Sequence, residues 1–342
     1  MSYLDALQDP RLAARLVWID LADNQLTRLP HGLAHAGQLS RLDAPRNALT
    51  DLAAPSDAMR DLVRLDLSDN RLEHVPELIR GMKNLRSLSL AGNDLTELPD
   101  WLADLPQLRM LDVCRNSLTR LPEAFGALSG LRRLHVAGNL LETLPNALGE
   151  LGDLAQLIAS DNRLATVPGC VSRLGGLVSL DLAGNTLEAV EGLIPLAENL
   201  QWLDLSRNRL GTLPPEPFGG AALTSLILAS NRLERIPDWV GALTGLSLLD
   251  LGDNRFDRLP SAISPLRQLN VLGFAGNTVS ELPPWLAEFH ALTKLYAGRN
   301  LLTRVPDWIS GLFGLTRLDL AGNPLTRLPE RVGEFRYTQI GM

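Results

Sequence analysis

Apolar side chains recur along this chain with a fixed period. An Asn stands at fourteen positions, each 23 residues after the last, from Asn24 to Asn323. Counted from eight residues before each Asn, position one is Leu in every copy, and positions four, six, eleven and fourteen are apolar. A period of this length, sustained through nearly the whole chain, predicts a stack of similar structural units instead of several globular domains.

Two shorter periodicities lie inside each copy. Apolar and polar residues alternate around positions three to six, as in residues 64–67, which predicts one short β-strand per copy. After the Asn, apolar residues are three or four apart, as in Leu98, Leu102 and Leu105, and Pro stands at position fifteen in twelve copies. This part predicts a short helix or a 3₁₀ turn. Because such return segments are bulkier than strands, we expect a curved stack with parallel strands on its concave side.

The repeated Asn has a structural explanation. The turn that leaves each strand is enclosed by neighbouring copies, so its backbone N–H and C=O groups need partners. An Asn amide supplies two donors and one acceptor. We therefore expect each Asn to join the turn of its own copy to the next copy, without any role in the chemistry of function.

The repeat resembles a known family. The stretch LRSLSLAGNDLTELPDWLADL from Leu85 follows the pattern LxxLxLxxNxLxxLPxxIxxL, which is similar to leucine-rich repeats of the intracellular 23-residue type found in Ras-associated scaffold proteins and in bacterial proteins. The resemblance implies an α/β solenoid, a horseshoe with a concave parallel β-sheet and short helical or 3₁₀ convex segments. It also implies a scaffold that binds proteins on its concave face, with a signalling partner such as a small GTPase or a kinase.

The repeats divide the chain into three parts. Residues 16–337 hold the fourteen repeats, and residues 1–15 form an N-terminal cap or half repeat, with Leu4 and Leu7 at core positions. At the other end, we expect residues 338–342 to form the end of a C-terminal cap and the chain to stop where a fifteenth strand would begin. We expect Phe335, Tyr337 and Ile340 to fold over the last core, because the ends of a repeat stack need covering.

Composition and charge narrow the setting. A net charge of −7 argues against general binding to nucleic acid or to anionic lipid, and no apolar run approaches the ~18 residues of a membrane span. The two cysteines, Cys114 and Cys170, fall at different repeat positions, so we expect no disulfide and a reducing, cytoplasmic setting. The many Ala, Gly, Pro and Arg residues beside only two Lys suggest a GC-rich, bacterial genome.

The sequence offers no convincing catalytic or metal site. Cys114 and Arg120 have the spacing of a thiol phosphatase loop, but the Asn116 between them is an ordinary repeat position, without the Gly-rich phosphate cradle. His31 and His35 share a helical spacing but lack a third metal ligand. The repeats occupy nearly the whole length, so we expect neither an enzyme nor a bound cofactor.

Function is therefore sought in columns that vary and face solvent, namely positions three, five, seven and eight. Position five holds eight aspartates, which form an acidic binding stripe or follow the family pattern. Departures from this pattern cluster between the ninth and thirteenth copies and predict a partner-binding patch on the concave face. The patch comprises Trp202, Ile227, Leu248, Val271, Gly273 and Tyr296. Its possible rim comprises Asp204, Asp250, Lys294 and Arg299.

Several alternatives remain open at this level. The patch is either a contact surface or drift on a tolerant surface, and a smaller group, Met110, His135 and Ile158, either extends it or has no role. The protein could act as a bacterial effector on host proteins, or as the targeting subunit of an enzyme complex. The convex face is the other candidate contact surface, with tryptophans at one shared repeat position: Trp101, Trp239, Trp285 and Trp308.

Overall fold

The computed structural model describes residues 9–52, 59–193, 198–217, 222–327 and 339–341. The chain forms two compact units. The first unit comprises Met1–Leu164 with Pro168–Leu177, and the second comprises Ala165–Val167 with Val178–Met342. Each unit is described by itself below.

The first unit is a stack of parallel strands. A short helix, α1 (Pro10–Ala13), precedes the sheet. Its strands are β1 (Trp18–Asp20), β2 (Arg41–Asp43), β3 (Arg64–Asp66), β4 (Ser87–Ser89), β5 (Met110–Asp112), β6 (Arg133–His135) and β7 (Gln156–Ile158). Each strand pairs with the next in parallel, and every residue stands beside the residue 23 positions later, as in Leu65 and Leu88. The sequence period is therefore the register of the sheet.

The second unit repeats this arrangement. Its strands are β8 (Ser179–Asp181), β9 (Trp202–Asp204), β10 (Ser225–Ile227), β11 (Leu248–Asp250), β12 (Val271–Gly273), β13 (Lys294–Tyr296), β14 (Arg317–Asp319) and β15 (Gln339–Gly341). Pairing is again parallel between consecutive strands.

The strand β15 corrects the prediction that the chain stops before a fifteenth strand. Its backbone pairs with β14, with Arg317 opposite Gln339, a step of 22 residues instead of 23. The segment that leads to it, including Phe335 and Tyr337, lies outside the described residues, as do Leu4 and Leu7 at the other end. The predicted packing of those side chains stays a prediction.

The return segments are 3₁₀ turns, one of the two forms that the sequence predicted. In the copy that contains Pro99, the Leu102 N–H donates to the Pro99 carbonyl at 3.2 Å, and the Leu105 N–H donates to the Leu102 carbonyl at 3.3 Å. In the first unit these turns span His31–His35, Glu77–Gly81, Asp100–Asp104, Glu123–Ala127, Asn146–Glu150 and Val171–Arg173. In the second unit they span Glu191–Leu193, Asp238–Ala242, Ser261–Ile263, Pro284–Glu288 and Asp307–Gly311.

Leucines fill the space between the sheet and the return segments. In the fourth copy, Leu85, Leu88, Leu90 and Leu95 have no solvent exposure. Phe274 and Phe289 occupy equally buried positions in the second unit. Burying these side chains is the main stabilising contribution, because each fully buried Leu or Phe side chain contributes about 1.5–3 kcal/mol relative to its exposed state.

The repeated Asn side chains tie adjacent copies together, but toward the preceding copy. Asn93 donates to its own Leu90 carbonyl at 2.9 Å and to the Leu67 carbonyl of the copy before it at 3.0 Å. Its Oδ1 accepts the Leu72 N–H of that preceding copy at 3.0 Å. The sequence-based expectation of a bond to the next copy was therefore wrong in direction, although the structural role of the Asn is as expected.

Candidate functional site

The residue before each repeated Asn gives every strand its sharp exit. All fourteen residues at this position have φ between +49° and +71°, and five of them are Gly. This left-handed conformation is costly for residues with a side chain and free for Gly. It turns the chain away from the sheet, so side chains at this position lie along the edge where the strands end.

Most of the position-five aspartates complete that exit turn. Seven of the eight accept, through Oδ1, the backbone N–H two residues later, as Asp250 does from Gly252 at 2.9 Å. An Asp that bonds its own backbone in this way forms an Asx turn. The Asp column therefore has a structural role, which favours the family pattern over an acidic binding stripe as the reason for these aspartates.

Asp43 is the one aspartate of the column that does not form this turn, because the residue two positions later is Pro45, which has no N–H. Its side chain is only 7% exposed. It accepts hydrogen bonds from Trp18 Nε1 at 2.9 Å and from Arg41 Nε at 2.5 Å, and Arg64 Nε lies 3.3 Å away. Arg41 and Arg64 therefore offset the negative charge of Asp43 on the sheet face.

In the second unit the register sets the predicted patch residues in two rows on the exposed sheet face. The first row, position three, runs Trp202, Ser225, Leu248, Val271, Lys294 and Arg317. The second row, position five, runs Asp204, Ile227, Asp250, Gly273, Tyr296 and Asp319. Neighbours within a row are on adjacent strands, about 4.8 Å apart.

The rows bring some patch residues together and separate others. Leu248 and Val271 are direct neighbours, whereas Ile227 has an Asp on either side, Asp204 and Asp250. Apart from Gly273, which is buried, the patch side chains are partly exposed. The result is an apolar surface with two carboxylates inside it, not only around it.

Gly273 makes room for one of those carboxylates. A Cβ added at Gly273 would lie 2.6 Å from Asp250 Oδ1, closer than real contacts allow. Burial raises the pKa of Asp250, against the hydrogen bond from Gly252. Burial likewise raises the pKa of Asp204, against the hydrogen bonds from Ser206. Both carboxylates are thus poorly hydrated before any partner binds.

Of the other predicted rim residues, Lys294 and Arg299 lie in different places. Lys294 is exposed and continues the first row beside Val271. Arg299 has φ +51° at the exit turn, and its Nη2 lies 2.9 Å from Asp253 Oδ1. Arg299 therefore lies along the strand edge. The guanidinium of Arg317 covers the Tyr296 ring at 5.3 Å and takes the rim position next to Tyr296.

The ion pair of Arg299 is one of a type that sequence reasoning missed. It spans two copies and crosses Gly276, just as Arg115 reaches Asp69 at 2.9 Å across Gly92 in the first unit. A Cβ on either glycine would collide with the Asp carboxylate. The signal lay in the residue before each Asn, which reads Asp, Gly, Arg in copies three to five, seven to nine and eleven to thirteen.

The smaller sheet-face group in the first unit is mostly polar in its contacts. Ser87 Oγ lies 3.8 Å from Met110 Sδ. His135 Nε2 lies 3.0 Å from Gln156 Oε1, and its Nδ1 lies 3.9 Å from Asp112 Oδ2. The Asp112 carboxylate raises the pKa of His135, against the effect of burial. When His135 is protonated, this group carries a positive charge, whereas the six patch residues of the second unit carry none.

The four tryptophans at one shared position lie on the 3₁₀ turns and are partly exposed. Trp239 Nε1 donates to the Pro214 carbonyl at 2.9 Å, and the Trp285 ring packs 5.5 Å from that of Phe289. These contacts favour packing on the return segments over an exposed contact surface.

The described residues offer little for catalysis or metal binding. No group of three His, Cys, Asp or Glu side chains among them could hold a metal ion. Burial raises the pKa of the Cys114 thiol to about 12, with a further contribution from Asp112, which is the opposite of an activated nucleophile. In the part of the chain that the structure describes, no helix has both the length and the apolar character needed to cross a membrane.

Comparison with known proteins identifies the family. The profile described as Leucine rich repeat matches residues 60–118, 106–164, 175–233, 198–256 and 221–279, which together cover more than half of the chain. The chain therefore belongs to the leucine-rich repeat family, and its fold is the predicted solenoid. This fold is a protein-interaction module, and proteins of the family are in general non-enzymatic interaction scaffolds.

Solved structures of both bacterial and plant proteins are similar to it. A leucine-rich repeat protein of Leptospira interrogans is 27% identical, with 100% of this chain and 98% of that one covered and a TM-score of 0.82. YopM from Yersinia enterocolitica is 29% identical, with 95% and 64% covered and a TM-score of 0.71.

The third comparison is with the ectodomain of the plant membrane receptor kinase GASSHO1/SCHENGEN3 from Arabidopsis thaliana, solved in complex with CASPARIAN STRIP INTEGRITY FACTOR 2. It is 28% identical, with 97% and 42% covered and a TM-score of 0.72. This chain therefore spans less than two thirds of YopM and of the plant ectodomain. No protein with a curated description matches the sequence significantly.

Proposed function

We propose that this protein is a non-enzymatic scaffold that binds a partner protein on the exposed sheet face of its second unit. The observation that carries the proposal is the position of Trp202, Leu248 and Tyr296 on that face, pointing away from the core. The leucines beneath them already fill the core, so packing within the repeat does not require apolar groups there. An apolar centre with charged groups beside it is typical of interaction surfaces.

Binding would bury the apolar side chains of the two rows and bring hydrogen-bond donors of the partner to two carboxylates. Asp204 and Asp250 are already partly desolvated, so covering them costs less than covering fully hydrated groups. A donor on the partner, such as an Arg or Lys side chain, would pair with them. Lys294 and Arg317 at one end of the first row would attract acidic groups.

We place this activity in a reducing compartment, such as the cytoplasm, because both cysteines are free thiols. A role in signalling, with a small GTPase or a kinase as partner, follows from the resemblance to Ras-associated repeat proteins. The similarity to bacterial leucine-rich repeat structures supports a bacterial source.

The test is a quantitative pull-down with purified, folded protein, followed by reconstitution with the purified captured protein. The test variant combines Trp202→Ala, Leu248→Asp and Tyr296→Ala. A matched control changes three sheet-face residues of the first unit: Met110→Ala, His135→Ala and Ile158→Asp. The proposal requires a partner that binds the wild type and the control directly and is lost from the test variant. If the test variant binds as tightly as the wild type, the patch is not the contact surface.

One observation favours a second setting for the same activity. YopM is similar over 95% of this chain, and a YopM of Yersinia pestis is described as a leucine-rich effector protein. An effector would bind host proteins, so the pull-down should be repeated with a eukaryotic cell lysate. Capture from that lysate alone would assign the binding face to a host target.

A further inference from the structure

The residue just before each strand forms a column along the edge of the sheet where the strands begin, here called the pre-strand column. In the second unit this column carries no charged residue, and several of its side chains form hydrogen bonds to the backbone of the column itself. Thr224, Ser247, Thr293 and Thr316 each donate a side-chain hydroxyl to the backbone carbonyl of the preceding copy, at 3.0–3.1 Å. In the first unit, Ser40 makes the same bond to the Val17 carbonyl. A small hydroxyl is therefore sufficient for the fold at this position.

Three consecutive copies of the first unit carry arginine in this column instead. The Arg109 N–H donates to the Arg86 carbonyl at 2.9 Å, and the Arg132 N–H donates to the Arg109 carbonyl at 2.8 Å. The three residues are therefore direct neighbours, spaced by about 4.8 Å between strands. All three are exposed, and so is Arg133, the first residue of β6.

These four guanidinium groups have no carboxylate partner within 4.0 Å among the described residues. By contrast, other arginines of the first unit, such as Arg46 and Arg115, are paired with aspartates. The surrounding stretches, residues 83–87, 106–110 and 129–133, contain no Asp or Glu and carry five positive charges. In a chain with net charge −7, these stretches are locally basic, and a carboxylate that contacts them, that of Asp61, accepts a hydrogen bond from Asn84 at 3.0 Å.

A row of like charges opposes its own formation, since two unit charges about 5 Å apart repel each other by about 0.8 kcal/mol even in water. The fold does not need that repulsion, because hydroxyls occupy the same column elsewhere. An anionic partner would remove it, and a guanidinium binds a carboxylate through two parallel hydrogen bonds. We propose that Arg86, Arg109 and Arg132, together with Arg133, form a docking surface for a short acidic segment of a partner protein.

The dimensions of the row favour a peptide over a nucleic acid. It is one side chain wide and spans three strands, about 10 Å. Exposed aspartates, Asp61 and Asp153, stand at the same edge in the copies before and after it. They would repel any anionic chain that continued far past the row, so the row fits a short acidic segment better than a long phosphate backbone. Nucleic-acid surfaces also interleave aromatic side chains for base stacking, and the three stretches around the row contain none.

The test uses a fluorescein-labelled hexaglutamate peptide as the probe and fluorescence anisotropy as the readout. The test variant, Arg86→Thr with Arg109→Thr and Arg132→Thr, places in the column a residue that the second unit already uses there. The matched control, Arg209→Thr with Arg232→Thr and Arg255→Thr, removes three exposed arginines from three consecutive copies of the second unit. Both variants change the net charge equally.

The proposal predicts that wild type and control bind hexaglutamate and that the test variant binds at least about tenfold more weakly, since several charge-assisted pairs are lost together. Binding should weaken as salt rises. Equal weakening in the control would reduce the effect to net charge and overturn the proposal. Absence of binding by the wild type, equal binding of a hexaglutamine peptide, or tighter binding of a single-stranded RNA of similar length would each overturn it as well.

Discussion

Replacing a single repeated Asn tests the ladder that joins adjacent copies. Asn139 is 5% exposed, and its Oδ1 accepts the Leu118 N–H of the preceding copy at 3.0 Å. Its Nδ2 donates to the Val113 carbonyl at 3.0 Å, to the Val136 carbonyl at 2.9 Å and, less closely, to the Ala137 carbonyl at 3.3 Å. The substitution Asn139→Ala removes all four contacts without adding bulk.

The magnitude follows from which groups keep a partner. The Val113 carbonyl also accepts from Asn116, and the Val136 carbonyl also accepts from Asn162. The Leu118 N–H has no such substitute and becomes an unsatisfied buried donor, at a cost of about 1–3 kcal/mol. With about 1 kcal/mol for each of the two shorter Nδ2 bonds, the free energy of unfolding should fall by roughly 3–5 kcal/mol.

Asn24→Ala is the matched control. Asn24 is exposed, and among the described residues it bonds only within its own copy, to the Leu21 and Ala22 carbonyls, so its loss should cost less than about 1 kcal/mol. Urea unfolding followed by circular dichroism compares the two variants, and hydrogen exchange reports on the Leu118 amide itself. The reasoning fails if Asn139→Ala costs no more than Asn24→Ala, or if the Leu118 amide keeps its protection in the variant.

Three further predictions use other features of the units. Gly92→Ala should lower the free energy of unfolding by about 1–2 kcal/mol, because φ is +65° and a Cβ would collide with the Asp69 carboxylate. The control, Gly81→Ala, places its Cβ in open space and should cost less than about 0.5 kcal/mol. Equal urea midpoints for the two variants would contradict this prediction. Asp250→Asn should reduce the loss of stability with rising pH. Burial raises the native pKa of Asp250 above 3.8, so this carboxyl stays protonated to a higher pH in the native state than in the unfolded state. Stability should fall as pH rises from 3.8 through the raised native pKa, and an equal fall in wild type and variant would be inconsistent with a buried carboxylate. Because the pKa of Cys114 is about 12, its alkylation by iodoacetamide near pH 8 should be at least about tenfold slower than that of free cysteine, and a comparable rate by mass spectrometry would show an exposed thiol.

The sequence predicts the sheet well because the period and the register are the same quantity. Residues such as Leu65 and Leu88, 23 apart, pair directly, and the residue types at positions four and six leave no other way to bury them. The direction of the Asn bonds did not follow, since the periodicity treats the preceding and the following copy alike. The strand β15 was missed because its step is 22 residues and its copy lacks the Asn.

The candidate site was predicted only in part. Alternation correctly places Leu248 and Tyr296 on the exposed sheet face. It could not show that Asp250 lies within the patch with its Oδ1 used by the exit turn, or that Arg299 lies along the edge, because both depend on the left-handed residue before each Asn. The arginines of the pre-strand column were missed because that column was not counted among the solvent-facing, variable positions.

The most direct test of partner binding is site-specific photo-crosslinking from the sheet face. A benzoylphenylalanine placed at Leu248, in the first row of the second unit, should cross-link the captured partner, whereas the same group at Met110 in the first unit should not. Placement at Trp239 probes the return segments, where the 3₁₀ turns carry the tryptophans. Cross-linking from Trp239 with none from Leu248 would contradict the account and move the contact surface to the return segments.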